Sequence, residues 1–335
     1  MSANGEAAWV RALRVGFGDA VAGPGVRVGI GDDAAVLEMP AGQRLVATVD
    51  MLVEGQHFQL AGPGASTPED VGWHALAVNL SDLAAMGARP LWALCSLGLP
   101  PGVPPEFGTR LAAGMAQLAG AFGVRIVGGN LARVPDRLVV DVTALGAVID
   151  PLLRTGARPG DLVCVTGSLG RAGAGLALVR AGAAGAPQAG PLLGALLRPE
   201  PRVDAGMALA ALGDRVHACC DISDGLALDL GRMCAASGVG AEIWAERLPL
   251  AEATRWAGVA LDRDPLPWVL EGGEDYELLL AVPPAEEAAV RAALEPAGTG
   301  LSVVGAFTPA EGLRLGAAPG ALAAPLVPRG WDPFV

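Results

Sequence analysis

The stretch Asp221-Ile222-Ser223-Asp224-Gly225 decides how the rest of the chain is interpreted. A second acidic turn, Gly29-Ile30-Gly31-Asp32-Asp33, has a similar setting, because each turn follows a short apolar run and precedes small residues. Carboxylates in such turns are expected where a strand ends, at the rim of a sheet. Proteins of the α/β class bind ligands at this rim. The two turns therefore predict an acidic site at a sheet edge.

Two further Asp residues have comparable surroundings: Asp50 closes an apolar run, and Asp82 lies in a helix-like stretch of small residues. Two carboxylates about 4 Å apart repel by roughly 4 kcal/mol at an effective dielectric near 20. The chain has no Lys, and none of its 23 basic residues, all Arg, lies in these four turns. Divalent cations with oxygen ligands would balance the charge, and Mg2+ usually arrives with a phosphate substrate. A turn or a helix N-cap also explains any single Asp, so the hypothesis depends on all four.

Composition restricts the class of protein. A length of 335 residues predicts two domains, with a boundary near residues 148–150 that separates 1–149 from 150–335. The net charge of −12 argues against nucleic acid or an anionic membrane as a partner. The longest charge-free stretch, 181–197, is broken by Gly and Pro, so no membrane span is predicted. Five Cys without C-x-x-C spacing are expected to be free thiols in a reducing cytoplasm.

Strand-like and helix-like stretches alternate along the chain, which predicts an α/β fold. Thr67-Pro68-Glu69-Asp70 has the pattern of a helix start, and this helix is expected to run to Met86 and stop at Gly87. On it Asn79 and Asp82 share a face. The Pro-rich stretch 187–201 is expected to be a connection.

A Gly-rich turn at 167–175 could expose backbone N–H groups to phosphate. It fits neither the Rossmann fingerprint nor Walker A, which needs a Lys, and tight helix packing explains the glycines about as well.

Taken in order, these motifs resemble the thiamine-monophosphate kinase family of the aminoimidazole ribonucleotide synthetase-like superfamily. The resemblance runs from about residue 29 to the C-terminus. It is carried by Gly31-Asp32-Asp33, Thr48-x-Asp50, His57-Phe58, Asn79-Leu80-Ser81-Asp82-Leu83-Ala84-Ala85-Met86-Gly87, Gly128-Gly129-Asn130, Asp221-x-Ser223-Asp224-Gly225, Gly272-Gly273-Glu274-Asp275-Tyr276-Glu277-Leu278 and Gly330-Trp331-Asp332-x-Phe334.

The resemblance implies a two-domain α/β protomer with mixed sheets, a cytoplasmic homodimer built through the N-terminal domains, and an ATP-dependent kinase. It would convert thiamine monophosphate to thiamine diphosphate by direct in-line transfer with several Mg2+ ions, without a covalent nucleophile or general base. The implied metal ligands are Asp33, Thr48, Val49, Asp50, Asp82, Asn130, Asp221 and Asp224. Gly129, Asn130, Arg154 and Ser223 would bind ATP, and His57, Glu274 and Trp331 would bind thiamine monophosphate, with Trp331 stacking on its ring.

Two alternatives stay open at this point. The first is another ATP-using member of the superfamily, a cyclo-ligase of purine synthesis or a hydrogenase-maturation enzyme. The second is a nucleotide-binding homologue with impaired catalysis, suggested by Asn130, which stands where the family usually has Asp.

Overall fold

A computed structural model describes residues 6–30 and 34–331 of the chain. Its contacts divide the chain into two compact units. Unit 1 comprises Met1–Leu83 and Arg89–Ile149, and unit 2 comprises Ala84–Ala88 and Asp150–Val335. Within the described ranges no helix is long and apolar enough to cross a membrane.

Unit 1 is built on a four-stranded sheet. Its elements in chain order are α1 (Glu6–Phe17), β1 (Val26–Val28), β2 (Val36–Leu37), β3 (Arg44–Val53), α2 (Pro68–Ala85), β4 (Arg89–Leu99), α3 (Pro105–Phe122), β5 (Arg125–Arg133) and β6 (Val139–Val148). The sheet has the order β3-β6-β4-β5; β4 and β5 run parallel, and the other neighbours run antiparallel. Strands β1 and β2 form a separate antiparallel pair.

The two faces of this sheet differ, because side chains alternate along each strand. On β3 one face carries Thr48, Asp50 and the buried Leu52, and the other carries apolar residues that are about half exposed. Leu45 is 54%, Val49 57% and Met51 53% exposed. The face with Thr48 contacts α2 through Asp82, whereas the apolar side chains on the other face are exposed.

Helix α2 begins as its sequence predicts. The Thr67 backbone N–H and hydroxyl both donate to Asp70 Oδ2, at 2.9 Å and 2.7 Å, and the Asp70 N–H donates to Thr67 Oγ1 at 3.2 Å. This reciprocal capping satisfies N–H groups that the first turn of a helix leaves without partners. The predicted helix from Thr67 is confirmed, and it ends at Ala85.

Unit 2 is built on a seven-stranded mixed sheet of order β13-β12-β9-β11-β7-β10-β8, in which only the pair β9–β12 is parallel. Its elements in chain order are β7 (Leu162–Thr166), α4 (Arg171–Arg180), α5 (Gly190–Leu197), α6 (Val203–Ala210), β8 (Ala218–Asp221), α7 (Leu226–Ser237), β9 (Gly240–Trp244), α8 (Glu252–Leu261), α9 (Leu266–Glu271), β10 (Leu278–Val282), α10 (Glu287–Leu294), β11 (Leu301–Thr308), β12 (Gly312–Gly316) and β13 (Ala324–Leu326).

The mixed sheets confirm the predicted α/β class, but the expected connection at 187–201 is wrong because it contains α5. Pro191 lies in the first turn of that helix, where a missing N–H costs nothing. Leu192 on the helix is fully buried and packs with Ala174 and Leu178 of α4. Burial of apolar side chains therefore overrides the local Pro and Gly signal.

Candidate active site

The turn that follows β8 is joined to the stretch that precedes β10. Asp221 pairs with Leu278 in the sheet. Beyond this pair the Ile222 N–H donates to the Glu277 carbonyl at 2.8 Å, the Tyr276 N–H to the Ile222 carbonyl at 2.9 Å, and the Glu274 N–H to the Ser223 carbonyl at 2.7 Å. Two motifs that lie about fifty positions apart in the sequence thus form one backbone ladder.

The C-terminal aromatic segment joins the same turn. The Trp331 N–H donates to the Asp224 carbonyl at 3.0 Å. A Cβ on Gly330 would lie 2.2 Å from that carbonyl oxygen, so only glycine allows this approach. Gly273 has a positive φ of 65°, and a Cβ there would lie 2.8 Å from the Ser223 carbonyl oxygen. Unit 2 therefore brings together four predicted residues: Ser223, Asp224, Glu274 and Trp331.

Asp229 and Arg232 on α7 support this turn, and sequence reasoning did not single them out. Asp229 is buried, and its Oδ2 accepts the backbone N–H groups of Ser223 at 3.1 Å and Asp224 at 2.9 Å. Burial raises the pKa of the Asp229 carboxyl, and the Asp224 N–H opposes that shift. Arg232 Nη1 donates to Asp229 Oδ1 at 2.9 Å and also to Asp224 Oδ2. The ion pair of Arg232 and Asp229 on α7 therefore stabilises the turn.

Glu274 occupies an unusual backbone conformation at this site. Its φ is 55°, and that of Tyr276 is 49°, in the left-handed region that non-glycine residues seldom adopt. Such strain persists where the surrounding hydrogen bonds enforce it. Burial, with the neighbouring Asp275 charge, raises the pKa of Glu274 to about 7. Glu274 is therefore a carboxyl group that can change its charge near neutral pH.

Asp275 contacts the Gly-rich turn at 167–175. Its carboxylate accepts the backbone N–H groups of Gly170 at 2.8 Å and Arg171 at 3.2 Å, at the start of α4. Gly170 and Gly173 pack against Trp268 and Val269 of α9. The N–H groups that could have bound phosphate are thus occupied by a carboxylate of the same unit, and close helix packing explains the glycines.

Glu277 forms a buried ion pair behind the site. The side chain is fully buried and accepts two hydrogen bonds from Arg202, Nε to Oε2 at 2.7 Å and Nη2 to Oε1 at 2.6 Å. The Thr166 hydroxyl adds a third bond at 2.8 Å. A carboxylate without such partners would be costly to bury. The pair ties α6 and β7 to the stretch that carries Glu274.

Arg154 lies beside the edge strand β8. The Leu153 carbonyl accepts the Cys219 N–H at 2.8 Å. Burial raises the pKa of Cys220, and the nearby Arg154 charge opposes that shift. Arg154 is exposed and therefore available to an anion near the end of β8. Asp221, the last residue of that strand, is 5% exposed.

In unit 1, Thr48 on β3 donates a hydrogen bond from its hydroxyl to Asp82 Oδ2 on α2. Asp50 lies on the same face of β3, two residues further on. This face thus presents three predicted oxygen donors from two elements. Asp33 lies outside the described residues.

The other predicted residues of unit 1 lie elsewhere on the sheet. The side chain of Val49 is on the opposite face of β3, so only its carbonyl could contact a cation. Asn130 lies on β5 in the row of Ser96, Asp141 and Met51, again opposite to Asp50. Strands β3 and β5 are the two edges of the sheet, three strand spacings or about 14 Å apart. The neighbouring Gly129 is required, because a Cβ would lie 1.8 Å from the Cys95 carbonyl oxygen.

His57 follows β3 in a tight turn. Its Nδ1 accepts the Val53 backbone N–H at 3.1 Å, so a neutral imidazole carries its proton on Nε2. Burial lowers the pKa of His57. The structure thus presents this predicted substrate contact as a neutral hydrogen-bond donor at neutral pH.

The donor set suits Mg2+ chemically, because carboxylate, hydroxyl, amide and carbonyl oxygens are the ligands that this hard cation prefers. Asn79, on the same face of α2 as Asp82, has a buried Oδ1 for which the described part of the chain provides no hydrogen-bond partner. In the same part of the chain, no three His, Cys, Asp or Glu side chains form a group that could hold a metal. Mg2+ usually binds one or two carboxylates plus water and substrate phosphates.

Known protein-family models match both halves of the chain. Residues 31–148 match the family described as AIR synthase related protein, N-terminal domain, and residues 158–317 match its C-terminal domain. The class of the chain is therefore that of the two-domain AIR synthase related proteins.

Individual relatives narrow the class. Thiamine-monophosphate kinase of Rhodopirellula baltica is 41% identical over 80% of this chain and 79% of its own length, and that of Escherichia coli K12 is 38% identical over 84% and 85%. The chain belongs to the thiamine-monophosphate kinase family.

Solved structures show the same relationship. The crystal structure of the Stenotrophomonas maltophilia thiamine-monophosphate kinase has a TM-score of 0.82 and 34% identity, covering 94% of this chain and 98% of its own. AaThiL complexed with AMPPCP and TMP has a TM-score of 0.77 and 32% identity, covering 91% and 92%. Escherichia coli HypE, a hydrogenase maturation protein, is 24% identical with a TM-score of 0.75, covering 97% and 98%, and shares the fold.

Proposed function

We propose that this protein transfers the γ-phosphoryl group of ATP to thiamine monophosphate, forming thiamine diphosphate by direct in-line displacement with several Mg2+ ions. The observation that carries the proposal is the cluster of Ser223, Asp224, Glu274 and Trp331, which three distant segments of unit 2 build around one turn. A related structure, 32% identical, was solved with TMP and with AMPPCP, an analogue of ATP.

The acceptor in this reaction is a phosphate that is already ionised at neutral pH. Catalysis then depends on positioning and on neutralising charge, and no residue need act as nucleophile or general base. The residues that would hold Mg2+ are Asp33, Thr48, Asp50, Asp82, Asp221 and Asp224, with the Val49 carbonyl and the Asn130 amide oxygen as further donors. Bound Mg2+ would neutralise charge on the reacting phosphates.

The remaining residues bind and orient the two substrates. The exposed guanidinium of Arg154 and the Ser223 and Gly129–Asn130 segments would contact ATP. Trp331, 41% exposed and anchored through its backbone to Asp224, would stack on the thiamine ring. Glu274 and the neutral imidazole of His57 would supply polar contacts that fix the orientation of that ring.

Three further expectations belong to this proposal. We infer that residues 1–149 supply metal and ATP-phosphate ligands and the dimer contact, and that residues 150–335 complete the nucleotide and substrate sites. The open apolar face of β3 supports a homodimer through unit 1. The free thiols Cys95, Cys164, Cys219, Cys220 and Cys234 are all buried and support a cytoplasmic location.

A product assay tests the proposal. The purified protein is incubated with ATP, MgCl2 and thiamine monophosphate, with thiamine and thiamine diphosphate as control acceptors and with EDTA as the metal-free control. We expect thiamine diphosphate from the monophosphate alone, and none with EDTA. Binding of Mg-ATP without product would favour the catalytically impaired homologue, and turnover with a different acceptor would favour another superfamily activity.

A variant pair separates ring stacking from nucleotide binding. Trp331→Ala should raise KM for thiamine monophosphate about tenfold or more while KM for ATP stays the same, because base–aromatic stacking contributes roughly 1–3 kcal/mol. Trp331→Phe keeps a flat ring and should restore most of the affinity. An equal loss for both substrates would rule out the stacking role.

A further inference from the structure

Arg232 supplies the positive charge at the turn that carries Asp224. Its Nη1 donates to Asp224 Oδ2 and, at 2.9 Å, to Asp229 Oδ1. Asp229 Oδ2 in turn accepts the N–H groups of Ser223 and Asp224. One guanidinium nitrogen thus bridges the carboxylate beneath the turn and the carboxylate on its rim.

The surroundings of this bridge differ on its two sides. The Asp229 side chain is 4% exposed, whereas that of Asp224 is 20% and that of Arg232 42% exposed. The contact with Asp229 is therefore enclosed, and the contact with Asp224 faces solvent. A cation that approaches from solvent reaches Asp224 first and meets the guanidinium there.

We propose that Arg232 neutralises the charge of Asp224 in the nucleotide-free protein and competes with a divalent cation for that carboxylate. The inference rests on the proposed function, because it concerns the cation assigned above to Asp224. Like charges within a few ångströms disfavour each other, so the guanidinium weakens binding of a free divalent ion. An incoming phosphate chain brings anionic oxygens that can accept the guanidinium's hydrogen bonds.

This arrangement predicts an order of events at Asp224. The free cation binds weakly while Arg232 occupies the carboxylate, and the cation that arrives with phosphates binds well. Arg232 is then a positioning residue that makes occupancy of this carboxylate depend on the nucleotide. Cation affinity in the absence of substrates reports this role. Removal of an ion pair with a merely structural role would not increase that affinity.

The test measures Mn2+ binding by calorimetry to the nucleotide-free protein. We expect Arg232→Gln to bind Mn2+ at least tenfold more tightly than the unaltered protein, and Arg232→Lys, which keeps the charge, to bind it as the unaltered protein does. Arg291→Gln is the matched control, because Arg291 pairs with Glu287 at 2.7 Å on α10 and is 45% exposed. It should leave Mn2+ affinity unchanged.

Adding Asp224→Asn to Arg232→Gln should abolish the gain. Equal affinities in the unaltered protein and in folded Arg232→Gln would overturn the inference and leave the proposed function intact. Absence of Mn2+ binding in every variant would instead contradict the metal ions of the proposed function.

A second measurement is made on the unaltered protein. Side-chain 15N NMR of the unaltered protein, with the Arg232 Nε signal assigned by its loss in Arg232→Lys, should show that signal shift on titration with Mg2+. A signal that stays fixed while Mg2+ binds would also overturn the competition.

Discussion

At the scale of single residues, hydrogen bonds from neighbouring elements hold the candidate ligands in place. Asp82 and Thr48 are conspicuous in their motifs, and the structure joins them by a hydrogen bond. Asp229 and Arg232 belong to no motif that the sequence analysis recognises. Their contacts with the turn depend on the direction in which α7 leaves that turn, which only the fold determines. Glu277 was visible within its motif, whereas its partner Arg202 lies 75 positions earlier and had no local signal.

The Asp82 carboxylate offers the most direct test among these residues. Asp82→Asn removes one negative charge from the face of β3 while keeping the shape of the side chain and an oxygen that can accept the Thr48 hydroxyl. Loss of one such electrostatic contact typically costs a factor of roughly 100–1,000 in kcat. Steady-state kinetics of phosphoryl transfer would measure it.

Asp136→Asn is the control for that substitution, because Asp136 lies on an exposed turn of the same unit. Circular dichroism should show both variants folded. Full activity of Asp82→Asn at limiting Mg2+ would contradict the assigned role.

The carboxyl of Glu274 predicts a pH dependence of stability. Its pKa is raised from 4.5 to about 7, so the folded chain holds this proton between those pH values while the unfolded chain releases it. The folded state then binds more protons, and the free energy of unfolding falls as pH rises from 4.5 to 7, by at most roughly 3 kcal/mol.

Urea unfolding at pH 5 and pH 7.5 would measure this change in the unaltered protein and in Glu274→Gln. The variant should lose less stability over the interval, because it carries no proton to release at this position. Part of the decline should persist, since burial raises the pKa of Asp275 to about 7 as well. An identical decline in both proteins would contradict the assignment to Glu274.

At the scale of elements, local signals predicted what local forces determine. The start of α2 followed from Thr67 and Asp70, whose hydrogen bonds span three residues. Helix α5 was missed because its stability comes from packing Leu192 against α4, a contact that its Pro and Gly content conceals. The ladder between residues 222–224 and 274–277 could not be derived from spacing, because strand pairing over such separations depends on the whole sheet.

The pair of Arg202 and Glu277 should make a large contribution to the stability of unit 2. Arg202→Met would remove the two shortest hydrogen bonds of the fully buried Glu277 carboxylate. Removing one member of a buried ion pair costs about 3–5 kcal/mol. Chemical denaturation at neutral pH would measure the loss.

The comparison for this loss is Arg291→Met, which breaks the exposed pair with Glu287. Pairs at the surface contribute about 0.2–1 kcal/mol. A similar small effect for both substitutions would mean that Thr166, together with Arg171 at 3.5 Å from Glu277 Oε1, compensates for the lost guanidinium.

At the scale of the whole molecule, the composition was enough to predict two domains, and the mixed sheets follow the predicted class. Unit 1 leaves one sheet face open, and the part of this face on β3 is apolar where an exposed surface would ordinarily be polar. Leu45, Val49 and Met51 are each more than half exposed on β3. Contiguous exposed apolar side chains usually mark an interface.

This open face predicts how the homodimer proposed above can be broken. Met51→Glu combined with Leu45→Glu places two carboxylates on the face, where association would bury them without partners at a cost of several kcal/mol. Light scattering coupled to size exclusion should then report a monomer for the double variant and a dimer for the unaltered protein. Val259→Glu is the control, since Val259 is 84% exposed in unit 2 and should leave the dimer intact. A dimer that survives the double substitution must use another surface, because β3 could not be buried with both charges on it.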